Sequence, residues 1–450
     1  MNKWIVIANI SEAFSHSYNR VRQDAVRISQ ILEDQYLGER ALLWGADHKC
    51  VVTSWPVESQ YLDYLRQTLA YSELVNIYPS QPSLSLCEDV LHDPSLLSRI
   101  LDFCHDAHQV YLIPYSTTRA FLDLADHLVD LGLPIETPES CRRENLWLRD
   151  YIDSKGGFRD FAMPLKNSFK GFQIPEGFWA RSWEEAIEIV LSFLAQGRSC
   201  VCKPNRGEGG AGIVRFSPSD FKQRNVRDEI RSKLYADDYL QHDTVIIEEY
   251  IEPDRSIAGG SPSVDFYIGP SPQSDIRILS VEAQVLSPEG IFQGVMIGKA
   301  VLPSCVENAI ISNGELLARR MKLWGYVGPF DIDMVLDCHG QLWPVESNTR
   351  RTGASHAIDV ATYLFGDEFW KSVTVFTFDH LSLRKDAVDF NRVRYLIKDL
   401  LYPIGNSKFG VLLDVSASMK IGNIGYLIFA ESKEHAISLH EETRKVLETI

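Results

Sequence analysis

Residues 327–353 read VGPFDIDMVLDCHGQLWPVESNTRRTG, and this stretch predicts how the central part of the chain folds. Large apolar residues alternate with Asp331 and Asp333 between positions 330 and 336, and residues 341–345 are extended in character after the polar turn at 337–340. Alternation with a period of two on both sides of a short polar turn is typical of a β-hairpin. The stretch therefore predicts two antiparallel strands joined at 337–340.

Three oxygen-bearing side chains of this hairpin are expected to lie together. Side chains on one face of a strand recur every two residues, so Glu346 and Asn348 point the same way and the hairpin returns them to Asp333. Two carboxylates ~4 Å apart repel by about 4 kcal/mol at an effective dielectric constant of about 20, so a cation stabilises such a cluster. Hard oxygen ligands with room for water and phosphate favour Mg²⁺ over a soft metal. We therefore expect Asp333, Glu346 and Asn348 to bind a metal ion.

Arg350 follows two residues after Asn348 and adds a planar guanidinium suited to a phosphate or a carboxylate. The alternative interpretation is a surface hairpin with solvated acids, and it suits Asp331 or Asp337 taken alone. The order of the residues favours a metal site, because Asp333 is followed after thirteen residues by Glu-x-Asn and then by Arg350. This pattern resembles the metal-binding hairpin of the ATP-grasp ligases.

Composition indicates a globular protein of several domains. The chain has 450 residues, 45% of them hydrophobic, which allows two or three domains. A formal charge of -16 argues against nucleic acid or an anionic membrane as the main partner, so any anionic ligand needs local basic groups. The eight cysteines lack a Cys-x-x-Cys spacing, and Cys200 and Cys202 fit one face of a buried strand. No signal peptide and no apolar run of 18 residues is visible, so a cytoplasmic location is expected.

The first part of the chain alternates predicted strands with predicted helices. Such alternation predicts a parallel sheet with helices on both faces, and this part contains no phosphate-binding glycine pattern. The predicted strands are 4–10, 41–44, 74–78 and 109–115, and the predicted helices are 22–39, 60–70, 95–105 and 119–131.

A glycine-rich segment follows Lys203. Its glycines satisfy Gly-x-Gly-x-x-Gly, but a dinucleotide-binding loop opens a helix, whereas residues 213–216 read as a strand. Glycines between two strands favour a flexible lid whose backbone donors bind phosphates, because no Cβ blocks close approach. Lys203 resembles the second nucleotide-binding lysine of the ATP-grasp ligases. The alternative is a glycine-rich surface turn. The predicted lid contains Gly207, Gly209, Gly210 and Gly212.

Other predicted nucleotide contacts depend on the resemblance. Lys155 resembles the first nucleotide-binding lysine and interrupts a charged helical pattern at 142–162, although the family's usual Gly-Ile/Val-Pro-x-Pro appears after it only as GFQIP at 171–175. The strand at 244–251 runs into acids at a turn, which resembles the hinge that contacts adenine. The resemblance implies backbone contacts around Glu249 and Ile251 with Glu248 near the adenine amino group, and the alternative is an edge strand protected by charge. Asp254 is a candidate for the ribose contact.

Downstream segments predict an antiparallel sheet and a small final unit. Residues 263–268, 276–286 and 294–299 alternate like antiparallel strands. The resemblance implies that this sheet underlies the acyl substrate, which makes Arg277 a candidate to bind the carboxylate of that substrate or the γ-phosphate. His356 fits packing and acid-base chemistry equally well. Residues 358–384 read as helical, and the strands at 410–414 and 425–430 with a helix from 433 predict an α+β cap.

The order of motifs from about 153 to 353 resembles ATP-grasp carboxylate-amine ligases, and the whole chain looks most like the stand-alone peptide ligases of the pheganomycin type. The implied fold combines α/β and α+β units: a Rossmann-like pre-ATP-grasp domain (1–135), the ATP-grasp domain (136–375, with a lid at about 195–250) and the cap (376–450). The implied reaction uses ATP and Mg²⁺, for which Mn²⁺ could substitute, to join a carboxylate to an amine of an amino acid or peptide through an acyl phosphate, with Arg350 stabilising the oxyanion.

The resemblance implies small-molecule partners, neither nucleic acid nor membrane, and allows a homodimer. Three alternatives remain open: a biotin-carboxylase-like carboxylating enzyme, a small-molecule kinase, and a nucleotide sensor without catalysis.

Overall fold

The computed structural model describes residues 1–19, 21, 23–207, 212–221, 225–236, 240, 244–287, 290–383 and 388–450. Three sheets organise these residues: a parallel N-terminal sheet of five strands, a large antiparallel sheet of eight and a small antiparallel sheet of four. The mixed α/β and α+β fold class predicted from the sequence is confirmed.

The N-terminal sheet has the strand order β3-β2-β1-β4-β5. Its central strands are buried and apolar on both sides, as in β1 where Ile5, Val6 and Ile7 are fully buried, because helices cover both faces. The elements are β1 (Asn2–Ile7), α1 (Ile10–Tyr18), α2 (Asp24–Leu37), β2 (Lys49–Val52), α3 (Ser59–Leu69), β3 (Leu74–Ile77), α4 (Leu86–His92), α5 (Pro94–Cys104), β4 (Gln109–Pro114), α6 (Arg119–Asp130) and β5 (Ile135–Glu136).

The strand predicted at 41–44 is wrong. Residues 38–43 form a 3₁₀ helix in which Ala41, Leu42 and Leu43 are fully buried. A short apolar run buried on all sides fits a helix or a strand, so its pattern does not separate the two. The second strand is instead β2, which begins with Lys49, a buried lysine whose Nζ donates to Trp44 O at 2.9 Å.

The small sheet has the order β6-β9-β7-β8 and its own apolar core. Cys200 and Cys202 both lie in this core, as their spacing predicted. Two helices, α7 (Leu146–Ile152) and α8 (Lys155–Ser168), precede this sheet, and its elements are β6 (Gly177–Ala180), α9 (Trp183–Ala195), β7 (Cys200–Pro204), β8 (Val214–Phe216), α10 (Val226–Tyr235) and β9 (Val245–Glu249).

The large sheet has the order β14-β13-β10-β11-β12-β15-β17-β16. One face packs on α11, where Gly314 allows close approach: a Cβ at this position would lie 2.7 Å from the ring of Phe266. The elements are β10 (Pro262–Ile268), β11 (Ile276–Leu286), β12 (Phe292–Ile297), α11 (Ser304–Trp324), β13 (Gly328–Leu336), β14 (Leu342–Glu346), α12 (Ser355–Phe365), β15 (Thr374–Ser382), α13 (Phe390–Leu396), β16 (Gly410–Val415), β17 (Asn423–Ala430) and α14 (Lys433–Leu447).

The helical character predicted for 358–384 holds only for its first part, because β15 occupies residues 374–382. Phe376 and Phe378 of β15 both pack on the ring of His440, with centroid distances of 4.9 and 4.6 Å. Strands β15, β16 and β17 continue the large sheet instead of forming a separate one. The domain boundaries at 135 and 375 stay a prediction.

A buried ion-pair group connects the N-terminal domain to these last strands. Arg40 pairs with Asp379 and Asp414 at 2.9 Å each, and Asp414 also contacts His356 Nε2 at 2.8 Å. His356 is therefore part of a packed interior contact. Among the residues that the structure describes, no helix has both the length and the apolar character needed to cross a membrane.

Candidate active site

The hairpin of β13 and β14 brings the three predicted metal ligands together. Asp333 and Glu346 are direct partners across the antiparallel strands, and Cβ atoms of such partners lie about 4.5–5.5 Å apart. Asn348 follows two residues after β14, and its Nδ2 donates to Asp333 Oδ2 over 3.3 Å. The predicted convergence of these side chains is therefore present, while their role as ligands stays a prediction.

Asp331 holds Asn348 in place. Its Oδ1 accepts a hydrogen bond from the backbone N–H of Asn348 at 2.7 Å, and both carboxylate oxygens accept from Asn348 Nδ2 at 3.0 Å. The residue is only 6% exposed, so the interpretation of Asp331 as a solvated acid is wrong. The signal was available in the sequence, since only Ile332 separates Asp331 from Asp333 and strand geometry places both on one face.

Asp337 fixes the hairpin turn. Its Oδ1 accepts from the backbone N–H groups of His339 and Gln341 at 2.9 Å each, and its Oδ2 accepts from Trp343 Nε1 at 2.9 Å. These bonds lower the pKa of Asp337 although partial burial opposes them. Asp337 therefore belongs to the turn and not to the group of ligands.

The buried acids on the hairpin are harder to ionise than ordinary carboxylates. Burial raises the pKa of Asp331 to about 7 against the effect of its bonds from Asn348. Burial and the charges of Asp331 and Glu346 raise the pKa of Asp333 well above its ordinary value, and Lys155 opposes them. A bound cation would favour the ionised form of these acids, and a set of carboxylate and amide oxygens fits a hard divalent cation.

Lys155 joins this hairpin to the glycine-rich segment. Its Nζ donates to Glu346 Oε1 at 2.8 Å and to Gly207 O at 3.3 Å, and the residue is 6% exposed. Lys155 is the first residue of α8, which Ser154 caps by accepting from the N–H of Gly157. The charged pattern at 142–162 is thus two helices with a break at 153–154, and the lysine begins the second.

Close packing fixes the start of α8. A Cβ on Gly156 would lie 2.1 Å from the ring of Trp179 in β6, so only glycine fits without a shift of the ring. The N–H groups of Lys155 and Gly156 donate to the backbone and side-chain oxygens of Asn205 at 2.9 and 3.0 Å. The helix that carries Lys155 is therefore attached to the small sheet beside the glycine-rich segment.

Lys203 and Glu248 form a second charged group. Lys203 Nζ donates to Glu248 Oε2 at 2.8 Å, and Arg159 NH1 donates to Glu248 Oε1 at 3.0 Å. Glu248 is 5% exposed and lies on β9, the neighbour of β7 that carries Lys203. Sequence reasoning missed Arg159, although it lies four residues after Lys155 on the same helical face.

The glycine-rich segment lies between two antiparallel strands, as predicted. Cys202 of β7 pairs with Val214 of β8, so no helix follows the glycines and the dinucleotide-binding interpretation is excluded. Gly207 contacts Lys155 as described above, and Gly212 has a φ of +74°, a conformation that side chains rarely adopt. The predicted positions Gly209 and Gly210 lie outside the described residues.

The predicted hinge connects the small sheet to the large sheet. Glu249 ends β9 and its N–H donates to Glu176 O at 2.7 Å, so this N–H is already bonded. Ile251 follows, and the N–H of Asp254 then donates to Leu336 O at 2.8 Å in the large sheet. Asp254 Oδ1 accepts from Ser256 in a local turn. Contacts of Glu248, Glu249 and Ile251 with adenine stay a prediction.

Arg350 and Arg277 occupy different surroundings. The Arg350 guanidinium pairs with Asp153, its Nε donates to Tyr115 OH at 3.3 Å, and it lies 5.0 Å from the ring centre of Phe14. Arg350 therefore extends from the loop after β14 toward the N-terminal domain. Arg277 lies outside this group, on β11, where its guanidinium stacks on the ring of Tyr267.

The chain matches known proteins over its first domain and over most of its length. Residues 38–129 match the family model described as the pre ATP-grasp domain. A [butirosin acyl-carrier protein]–L-glutamate ligase from Niallia circulans is 27% identical over 309 residues. The alignment covers 67% of this chain and 61% of that protein, so the chain spans about three fifths of the relative's length.

Solved structures share the architecture at low sequence identity. A carboxyaminoimidazole ribonucleotide synthase from Aspergillus clavatus, complexed with ATP, has a TM-score of 0.55 and 10% identity over 100% of this chain and 99% of its own. A biotin carboxylase from Campylobacter jejuni, in a β-γ-ATP complex, has a TM-score of 0.54 and 12% identity over 99% and 94%. These matches confirm the resemblance predicted from the motifs. The chain therefore has the ATP-grasp fold, with a pre-ATP-grasp domain in its N-terminal part.

Proposed function

We propose that this chain is an ATP-dependent carboxylate-amine ligase that forms an amide bond through an acyl phosphate and releases ADP and phosphate. The observation that carries the proposal is the position of Lys155, whose ammonium contacts Glu346 of the hairpin and Gly207 of the glycine-rich segment at once. A cation between an acid cluster and a glycine-rich backbone suits the phosphates of a nucleotide.

Asp333, Glu346 and Asn348 would hold Mg²⁺, for which Mn²⁺ could substitute. Their fit rests on the set of hard oxygen donors described above and on Asp331, which orients Asn348. The bound ion would neutralise charge on the β- and γ-phosphates.

The lysines and the glycine-rich backbone would bind the phosphates. Lys155 is already placed beside the hairpin, whereas Lys203 is paired with Glu248 and has to exchange or share that partner when phosphate enters. Gly207, Gly209, Gly210 and Gly212 would contribute backbone donors near the phosphates. Glu248, Glu249 and Ile251 would contact the adenine at the hinge, and this role rests on the resemblance.

The proposed reaction consists of two nucleophilic substitution steps. A carboxylate oxygen of the first substrate attacks the γ-phosphorus, the bond from this phosphorus to ADP breaks, and the acyl phosphate forms. The amine nitrogen of the second substrate then attacks the acyl carbon, the carbon–oxygen bond to phosphate breaks, and the amine gives up a proton. Arg350, held by Asp153 and Tyr115, would stabilise the oxyanion of this second step. Exclusion of water protects the acyl phosphate from hydrolysis.

Amino acids and peptides are the substrate class we propose. The name of the Niallia circulans relative includes L-glutamate and an acyl-carrier protein, which supports an amino acid as one substrate and adds a carrier protein to the candidates for the other. The location in the cytoplasm and a homodimer remain predictions.

The test is ATP turnover with Mg²⁺ and pooled amino acids, dipeptides and a holo acyl-carrier protein, with ADP and AMP quantified and products weighed by mass spectrometry. We expect ADP that depends on an amine, and a product one water lighter than the summed substrates. Bicarbonate-dependent ADP release without an amine would indicate a carboxylating enzyme, a phosphorylated product would indicate a kinase, and AMP would contradict the acyl phosphate. The matched variant Glu346→Ala should form no ADP while remaining folded, and unchanged turnover would contradict the metal site.

A further inference from the structure

A cleft of about 160 Å³ opens between the N-terminal domain and the large sheet, on the sheet face opposite α11. Its charged lining consists of Glu139, Arg277, Arg351 and Asp359. The two acids and the two guanidinium groups balance in number, so the cleft suits a ligand without net charge.

Arg277 is a cation of the cleft that stacks on an aromatic ring. Its guanidinium lies 4.5 Å from the ring centre of Tyr267, its partner across β10 and β11, and Tyr267 OH donates to Pro138 O at 2.9 Å. Arg277 is exposed, and within the described part of the chain it forms no ion pair. A stacked guanidinium with free donors is suited to a carboxylate ligand.

The acids of the cleft share one buried cation. Arg351 is 4% exposed and donates to both oxygens of Glu139 at 2.6 and 3.0 Å and to Asp359 Oδ2 at 2.8 Å. One guanidinium between two carboxylates leaves an excess negative charge on this side. Burial raises the pKa of Glu139 although Arg351 and Arg277 lower it, and the Asp359 side chain is 27% exposed.

The cleft lies along the same sheet face as the metal-ligand group. On β13, Asp333, Asp331 and Pro329 point to one face, and Pro329 pairs with Tyr267 and lines the cleft. Four residues of strand span about 13 Å. That distance accommodates a γ-phosphate at the hairpin, an acyl group, and an amine whose own carboxylate reaches Arg277. The same distance separates Arg277 from phosphates bound at the hairpin, so the alternative role of Arg277 at the γ-phosphate is disfavoured.

We propose that this cleft binds the amine substrate as a zwitterionic α-amino acid, with its carboxylate on Arg277 and its ammonium beside Glu139 and Asp359. The inference rests on the proposed ligase function, because that function makes the amine of the bound amino acid the nucleophile. The binding site itself is tested without turnover.

The experiment is saturation-transfer NMR of the full chain with MgADP and either the twenty pooled L-amino acids or their pooled α-carboxamides. We expect one or more free amino acids to bind and the matching carboxamides to bind at least tenfold more weakly, because the carboxamide removes the charge that Arg277 binds. Arg277→Ala should weaken amino-acid binding by about 10- to 100-fold, and Arg277→Lys should restore part of it. Asp359→Asn should weaken amino-acid binding because it removes the negative charge beside the ammonium. The asparagine keeps an oxygen that can accept from Arg351 and from the N–H of Gly45.

Arg319→Ala is the matched control, since Arg319 is 71% exposed on α11 and pairs only with its helix neighbour Glu315 among the described contacts. Unchanged binding in Arg277→Ala, equal binding of carboxamides, or no binding of any amino acid would overturn the inference. Amino-acid binding that depends on Arg277 in a chain that releases no ADP would instead contradict the proposed function and leave the cleft assignment standing.

Discussion

Asp333→Asn should make the metal-free protein more stable and abolish ATP turnover. Asp333 faces Glu346 directly across the hairpin, and two unit charges about 5 Å apart repel by about 3 kcal/mol at an effective dielectric constant of about 20. Lys155 attracts Asp333 and offsets part of this repulsion. Asparagine retains an oxygen for the bond from Gln284 Nε2 at 2.6 Å. We expect a net gain of about 1–2 kcal/mol in the free energy of unfolding.

The gain should depend on pH with a defined sign. The folded-state pKa of Asp333 is raised well above its ordinary value, by burial first and then by Asp331 and Glu346. A carboxyl with a raised folded-state pKa contributes stability that is fully present below its unfolded pKa and is lost as pH rises through the folded pKa. Without metal, the native protein should therefore lose stability as pH rises, and Asp333→Asn should lose less.

The assay is thermal unfolding in EDTA at pH 8, together with ADP release in Mg²⁺. With an unfolding entropy of about 2.1 cal/mol/K per residue over 450 residues, the expected gain corresponds to a rise in Tm of about 1–2 °C. Asp337→Asn is the control, because Asp337 holds the turn through bonds to His339, Gln341 and Trp343 and should lose stability but keep turnover. An Asp333→Asn protein that is less stable in EDTA and still forms ADP would refute the reasoning.

Two further predictions follow from other buried charges. Lys155→Met should lower kcat/KM for ATP by about 10²–10³-fold in initial-rate measurements, because it removes the donor proposed to bind the phosphates. Lys170 is an exposed lysine just after the same helix, and Lys170→Met should have no effect; equal losses in both variants would contradict the role of Lys155. Glu39 has a pKa of about 7, raised from its ordinary 4.5 by burial against hydrogen bonds from Ala417 and Ser416, so it should contribute a loss of about 3 kcal/mol of stability in urea unfolding as pH rises from about 4.5 to 7. Glu39→Gln should remove this contribution, and an unchanged slope would refute this origin.

The spacing of residues in the sequence predicts the metal-ligand hairpin because strand geometry leaves little freedom. Asp333, Glu346 and Asn348 meet through local strand pairing, and the strand after the glycine-rich segment is equally local. Contacts between segments that lie far apart in the chain are harder to predict from the sequence. Lys155 was predicted only through resemblance, and its contact with Glu346 spans 191 positions of the chain.

The remaining errors have physical causes. The buried run at 41–44 has no period that separates helix from strand, and β15 at 374–382 has apolar residues on both faces because it lies inside the large sheet. Strand periodicity places Asp331 on the face of Asp333, but its hydrogen bond with Asn348 crosses the hairpin and depends on the register of the two strands. The cleft around Arg277 combines residues from both domains, so no segment of sequence predicts it.

The most direct test of the central claim is the fate of carboxylate oxygen. The carboxylate substrate identified in the turnover assay is labelled with ¹⁸O, and the released phosphate and nucleotide are analysed by mass spectrometry. Attack on the γ-phosphorus predicts one ¹⁸O atom in the inorganic phosphate and none in the nucleotide. Label in AMP, or phosphate without label while the amide product forms, would contradict the acyl phosphate and with it the proposed ligase mechanism.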